Sequence, residues 1–112
     1  MSGFRADAIV PTWNGRRFLE DCLPAVAAQE GGPYRIVVVD NGSTDGTEAW
    51  TKEKFPEAVL IQMGENTGFA RAVNAGIRGT DSPYVVALNN DAIPDPGWLA
   101  ALCARADSDV RI

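Results

Sequence analysis

The chain has 112 residues and a net charge of −5, with 46% apolar and 22% charged side chains. These values fit one small globular domain with one core, and the lack of a polybasic run argues against a nucleic-acid partner. There is no histidine, which removes Ser-His-Asp triads, histidine acid–base chemistry and histidine-ligated metals.

The apolar runs stop at about five residues, far short of a membrane span. The first residues lack the basic start and long apolar core of a signal peptide. Cys22 and Cys103 lie far apart on expected helices. Buried free thiols in a reducing compartment are the favoured reading, with a disulfide the less favoured alternative.

Ala6 to Pro11 reads as a first strand. Arg16 to Ala28 reads as a helix whose inward face is Phe18, Leu19, Cys22, Leu23 and Val26, with Pro24 as a point of kinking. Tyr34 to Val39 is a second strand, and its Ile36-Val37-Val38-Val39 run suits burial on both faces of a parallel sheet. Asp40 to Gly46 is a turn-rich loop, and Thr44 with Thr47-Glu48 behind it resembles a helix N-cap region. The helix then runs from about Asp45 to Lys54.

Val59 to Gln62 is a short third strand, and Gly64 to Gly68 a loop. Phe69 to Arg78 reads as a helix with Phe69, Val73 and Ile77 on its apolar side. Tyr84 to Leu88 is a fourth strand, followed by Asn89-Asn90-Asp91. Pro96 to Ala106 is a helix with Trp98, Leu99 and Leu102 facing inward, and Asp95 is placed to cap it. Val110-Arg111-Ile112 reads as the start of another strand. The alternation predicts an α/β, Rossmann-like, mainly parallel sheet flanked by helices.

Ligands of open parallel sheets bind at the carboxyl ends of the strands. Four polar loops fall there. In the first, Thr12 and Asn14 offer hydrogen bonds to a base or ribose, although Asn14-Gly15 by itself reads better as a turn with Asn14 capping the helix. In the second, Asp40 suits a ring N–H or ribose hydroxyl, and equally an Asx-turn on its own backbone. Asp45 reads as a helix-start carboxylate.

In the third loop, Asn66 and Gly68 precede a helix whose first turn carries Arg71. That guanidinium suits a nucleobase or phosphate, or else an ion pair or solvent. Gly68 either admits a ligand close to the backbone or permits a turn. In the fourth, Asp91 is the candidate ligand for a divalent cation, which is bound through one or two carboxylates plus substrate phosphates. The bland alternative is a turn cap.

Four segments taken in order resemble the N-terminal, donor-binding part of a family 2 inverting glycosyltransferase of GT-A fold. They are Ala8-Ile9-Val10-Pro11-Thr12-Trp13-Asn14, Ile36 to Thr47, Glu65 to Gly76, and Leu88-Asn89-Asn90-Asp91. The Asp40-Asn41-Gly42-Ser43 and Leu88-Asn89-Asn90-Asp91 stretches are similar to the rhamnosyltransferase-like branch. The resemblance implies that residues 1–112 are the nucleotide-sugar-binding part of a longer domain. Pro11, Thr12 and Asn14 would line the nucleoside pocket, and Asp40 would contact the base. Asn66, Gly68 and Arg71 would line the nucleotide side, with Asn89 and Asn90 beside them. Asp91 would hold Mg²⁺ or Mn²⁺ at the diphosphate of a UDP-, dTDP- or GDP-linked sugar.

Asn89 stands where many relatives carry a first carboxylate, which either weakens metal affinity or leaves a ribose contact to an amide. The family's general base is expected beyond residue 112, so the chain alone is expected not to turn over. A cut sheet would leave apolar surface open, so self-association is expected. Cytoplasmic use of a donor is expected, with a saccharide or lipid-linked acceptor, and membrane association of a longer protein left open. A non-catalytic nucleotide-binding or scaffold module is the alternative. A dinucleotide oxidoreductase is disfavoured, because Thr12-Trp13-Asn14-Gly15-Arg16-Arg17 replaces the glycine fingerprint. A phospho-acceptor domain is disfavoured because Lys52 and Lys54 sit on a middle helix.

Overall fold

The computed structural model describes residues 3–108. Its elements are β1 (Ala6–Thr12), α1 (Arg16–Ala27), β2 (Tyr34–Asp40), α2 (Thr47–Lys54), β3 (Val59–Gln62), α3 (Phe69–Arg78), β4 (Tyr84–Ala87) and α4 (Trp98–Ser108). The strand expected at Val110-Arg111-Ile112 lies outside the described residues. All pairings are parallel and the strand order is β3-β2-β1-β4. The chain therefore steps outward from β1 to β3, then crosses back to place β4 on the other side of β1.

Two cores follow from that crossing. One face of the sheet packs Ala8, Val10, Ile36 and Val38 against Leu19, Cys22, Leu23 and Val26 of α1, with Trp50 and Trp98 at its margin. The opposite face packs Ile9, Val37 and Val39 against Ala72 and Ala75 of α3. Burial on both faces is why β1 and β2 read as continuous apolar runs.

Pro11 sits inside the central strand without disturbing it. β1 pairs with β4 only over Ala6 to Ile9, and Leu88 N donates to Ile9 O as the last link. The nitrogen of Pro11 faces the β4 side just past that point, where a ladder donor is no longer used. β1 and β4 stop pairing there, at the point where the strand order reverses, the switch-point crevice at which open parallel sheets bind ligands.

Three helix faces and one helix start differ from the periodic expectation. Phe18 on α1 is exposed and lies under the Arg17 guanidinium, 4.7 Å from its ring centre. On α3, Phe69 and Ile77 are 56% and 42% exposed, and the buried residues are Ala72 and Gly76. A Cβ on Gly76 would lie 2.7 Å from Ile9 Cγ2, so the helix approaches the sheet through its smallest residues. On α4, Cys103 rather than Leu102 is buried with Leu99. Helix α2 starts at Thr47, not Asp45, and Thr44 is not its cap. Asp45 Oδ1 instead accepts from Thr47 N at 3.1 Å and Thr47 Oγ1 at 2.5 Å.

Helix α4 starts at Trp98 rather than Pro96, and its end is held from elsewhere. Gln29, just past α1, accepts from Leu99 N at 2.9 Å and donates to Asp95 O at 2.6 Å. Helix α1 continues through Pro24. At the amino edge of the sheet, buried Asp7 accepts two bonds from Arg35, at 2.7 and 3.0 Å. That pair raises the Arg35 pKa and leaves the carboxyl edge free of it. No helix among the described residues is long and apolar enough to cross a membrane.

Candidate functional site

The four polar loops converge at the carboxyl edge, and hydrogen bonds between them fix their arrangement. Asn14 has a left-handed backbone, φ 49°, and does not cap α1. Its N–H donates to Ser43 Oγ at 2.8 Å, and its Oδ1 accepts from Thr44 N at 2.7 Å. Arg16 N donates to Asp45 Oδ2 at 3.0 Å. Desolvation works against the Asp45 charge, but the bonds from Thr47 and Arg16 outweigh it and hold its carboxyl below the ordinary value. The first loop is thus sewn to the second, beside a groove lined by Asn14, Arg16, Arg17, Glu20 and Asp45.

Asp40 ends β2 and is buried. Its Oδ1 accepts from Ser43 N, three residues on, at 3.0 Å, so the carboxylate bonds the backbone of its own loop, one residue further than an Asx-turn. The next residue, Asn41, was not singled out by its type. It is also buried, and it ties the second loop to the third. Its Nδ2 donates to Gly68 O at 3.2 Å, and its Oδ1 accepts from Thr67 N at 3.1 Å and Thr67 Oγ1 at 2.8 Å. Gly42 has φ 80°, and a Cβ there would stand 2.8 Å from Glu65 Cα, so the two loops touch backbone to backbone.

Asn66 folds back locally, with Oδ1 accepting from Gly68 N at 3.1 Å. Gly68 has φ 88° and open space where a Cβ would be, so the glycine is required by the turn and the front of α3 is clear. Arg71 is exposed in the first turn of α3 and, among the described residues, has no hydrogen-bond or ion-pair partner.

In the fourth loop, Ala92 N donates to Asn89 O at 3.0 Å, closing a turn around Asn90 and Asp91. Asn90 Nδ2 donates to Thr12 Oγ1 at 2.9 Å across the crevice. A Cβ on Gly15 would lie 2.1 Å from Asn90 Nδ2 and 2.5 Å from Thr12 Oγ1, so this latch lies directly over a glycine. Thr12 and Asn90 therefore hold each other as well as lining the crevice. Below the turn, the buried Cys22 thiol faces Asn89 O at 3.8 Å. Burial, then the charge of Asp91, pushes its pKa up to about 11. Asp91 itself is exposed.

The donors in this turn are oxygens only: the Asp91 carboxylate and the amide carbonyls of Asn89 and Asn90. Hard cations such as Mg²⁺ and Mn²⁺ take such ligands. Among the described residues, no three His, Cys, Asp or Glu side chains cluster to form a cage. The residues thus fit a cation shared with a phosphate ligand and water, not one enclosed by protein.

Parallel strands, a crevice at the point of order reversal and an exposed carboxylate beside it are the geometry on which the comparisons bear. A model described as glycosyl transferase family 2 matches residues 7–112. The chain belongs to glycosyl transferase family 2. It is 34% identical over 107 residues to an uncharacterized glycosyltransferase of Mycobacterium tuberculosis, covering 96% of this chain and 46% of that protein. It is 30% identical over 109 residues to an N-acetylglucosaminyl-diphospho-decaprenol L-rhamnosyltransferase from the same species, covering 88% and 36%. Among solved structures, it resembles the mannosyltransferase PcManGT of Pyrobaculum calidifontis in complex with GDP-Man and Mn²⁺. The TM-score there is 0.77 with 33% identity, over 89% of this chain and 32% of that one. The chain spans about half the length, or less, of the curated relatives it matches. As a family 2 member it has the Rossmann-like GT-A architecture, an enzyme fold.

All the residues expected from sequence to form the site stand at this edge. Pro11, Thr12, Asn14, Asp40, Asn66, Gly68, Arg71, Asn89, Asn90 and Asp91 lie on the strand ends, the loops or the first turn of α3. Asn41, Ser43 and Gly15 were missed. The Asp-Asn-Gly-Ser string marked the place but not the partners.

Proposed function

We propose that this chain is the donor-binding part of an inverting glycosyltransferase, which moves a sugar from a nucleoside diphosphate to an acceptor hydroxyl. The observation that carries the reading is the latched crevice, in which the Asp91 turn is tied to the end of β1 by Asn90 and Thr12. The family membership and the likeness to a mannosyltransferase bound to GDP-Man and Mn²⁺ support it. Asp40, at the closed end of β2, would take the base. Asn66, Gly68 and Arg71, at the open front of α3, would meet the nucleotide, with Pro11, Thr12 and Asn14 on the nucleoside side. Asn89 and Asn90 would orient ribose or phosphate oxygens.

Asp91 would hold Mg²⁺ or Mn²⁺ against the diphosphate, and the ion, when bound, would neutralise charge on the leaving group. An acceptor proton needs a base. We assign that base, and the acceptor site for a saccharide or lipid-linked hydroxyl, to a region after residue 112 in a longer protein. Free buried thiols at Cys22 and Cys103 suit a reducing, cytoplasmic setting for a sugar-nucleotide donor.

The test is calorimetric titration of UDP, dTDP and GDP, with and without Mn²⁺, on this chain and on Asp91→Ala. Binding by the parent chain is expected to strengthen with Mn²⁺. The variant is expected to lose that gain, a change of roughly tenfold or more, which is about 1.4 kcal/mol. A folded chain that binds none of the three would leave a non-catalytic scaffold as the reading.

A further inference from the structure

We propose that the Asn41 carboxamide is the positioning residue that anchors the N-terminus of α3, and with it Arg71, to the nucleotide side of the crevice. The proposal rests on the donor-site reading above. Its geometry is that of one side chain from the end of β2 gripping the start of a helix. Asn41 is 4% exposed, so its amide has no access to bulk water as a substitute partner. Its backbone N–H is spent on Thr12 O at 2.8 Å, which ties it to β1 as well.

The amide group satisfies both sides of the contact without taking up a proton. Its oxygen accepts from Thr67 N and Thr67 Oγ1, and its nitrogen donates to Gly68 O. Gly68 O is also the acceptor for Ala72 N at 3.2 Å, the first bond of α3. Asn41 therefore holds the helix by the carbonyl on which its first turn is built. No side chain caps α3 from within, and Asn66 serves only its own loop. Gly42, the residue after Asn41, lies close against the Glu65 backbone, so the second and third loops meet beside the Asn41 contact.

A carboxylate at this position keeps the acceptor but loses the donor, and turns a lone pair toward Gly68 O. A protonated carboxyl restores the donor, because its O–H can replace the amide N–H. The nearest charged groups in the elements packed against it are Asp40, next to it in the chain, and Glu65 in the facing loop, with Arg71 on the exposed side of the α3 first turn. Burial and the neighbouring Asp40 favour the protonated form, while the bonds from Thr67 N and Thr67 Oγ1 favour the charged form and hold it near neutral pH, so that acid is needed to protonate it. Asn41→Asp thus converts a fixed anchor into one that acid restores.

The experiment compares the parent chain with Asn41→Asp near neutral pH and at about pH 5, always against the parent at the same pH. Amide hydrogen exchange is read at Thr67 and Ala72, and affinity for UDP and GDP is read in the presence of Mn²⁺. At neutral pH the variant is expected to exchange faster at Ala72, whose acceptor Gly68 O loses its anchor, and to bind nucleotide roughly tenfold more weakly, while Thr67, whose acceptor is kept, is the internal control. In acid both readings are expected to return toward the parent. Unchanged exchange and affinity at neutral pH would overturn the proposal. A loss that acid does not reverse would do so too, because general damage to the fold has no reason to follow one proton. If the parent chain binds no nucleotide, the donor-site reading fails by itself. Acid-reversible exchange would then still uphold Asn41 as the anchor of α3, and its absence would overturn it.

Discussion

At Asp40 the local chain and a ligand compete for one carboxylate. Oδ1 is already used by Ser43 N, so the turn is built before anything binds. Thr51 shows the opposite condition. Its hydroxyl is buried in α2 with no hydrogen-bond partner among the described residues. An unpaired buried hydroxyl costs free energy, and valine fills the same shape without it. Thr51→Val is expected to stabilise the chain by about 1 kcal/mol, read as a higher urea midpoint at unchanged slope. A lower midpoint would mean that the hydroxyl has a partner in solution.

Cys22 adds a pH prediction at the same scale. Its thiol pKa is raised from 9.0 to about 11 by burial and then by Asp91. The folded state therefore holds this proton more tightly than the unfolded state. The resulting stability is complete below pH 9 and is lost as pH rises towards 11. The loss is on the order of 2 kcal/mol. The gap in urea stability between the parent and Cys22→Ala should narrow over that window, and parallel curves would refute the assignment.

Among the elements, α3 departs furthest from its sequence pattern. Its large apolar residues recur at helical spacing, yet Ala72 and Gly76 face the sheet. Periodicity identifies a stripe but not which stripe a neighbour admits, and here the sheet admits only small side chains. Gly76→Ala gains about 1 kcal/mol of helix propensity. It also forces a Cβ to 2.7 Å from Ile9 Cγ2, in a central strand with no room to yield. Overpacking of this kind costs roughly 1–3 kcal/mol, so a net loss of about 1 kcal/mol is expected. Thermal unfolding checks it, and a raised Tm would mean that α3 slides outward at no cost. Helix α4 gives a second case. Its sequence offers Asp95 as a cap, while Gln29, 70 residues before Leu99, supplies the bond to Leu99 N.

For the molecule as a whole, the order β3-β2-β1-β4 places β1 in the interior and β4 at an edge. Val85 on β4 is 40% exposed, on the sheet face that α3 covers, where Phe69 and Ile77 also remain open to solvent. Apolar surface beside a strand edge that is unpaired among the described residues favours pairing with another copy. The 112-residue chain is expected to self-associate as its concentration rises. Sedimentation velocity over a concentration series tests this, and a strictly monomeric species at the highest concentration would count against it.

The sequence by itself determined the order and type of the elements. Strand runs, helical spacing and Gly, Pro and Asn turns act over a few residues and need no distant partner. It also determined which loops carry polar chemistry, because a polar string after a buried strand falls at the carboxyl edge of any parallel sheet. Only the tertiary structure decided which helix faces turn inward and which polar groups meet. Asn41 reaches across 26 residues to Thr67, Gln29 across 70 to Leu99, and Asn90 across 78 to Thr12. Such pairs are set by how strands are ordered and how closely helices approach, and neither is encoded in the spacing of residues along one element.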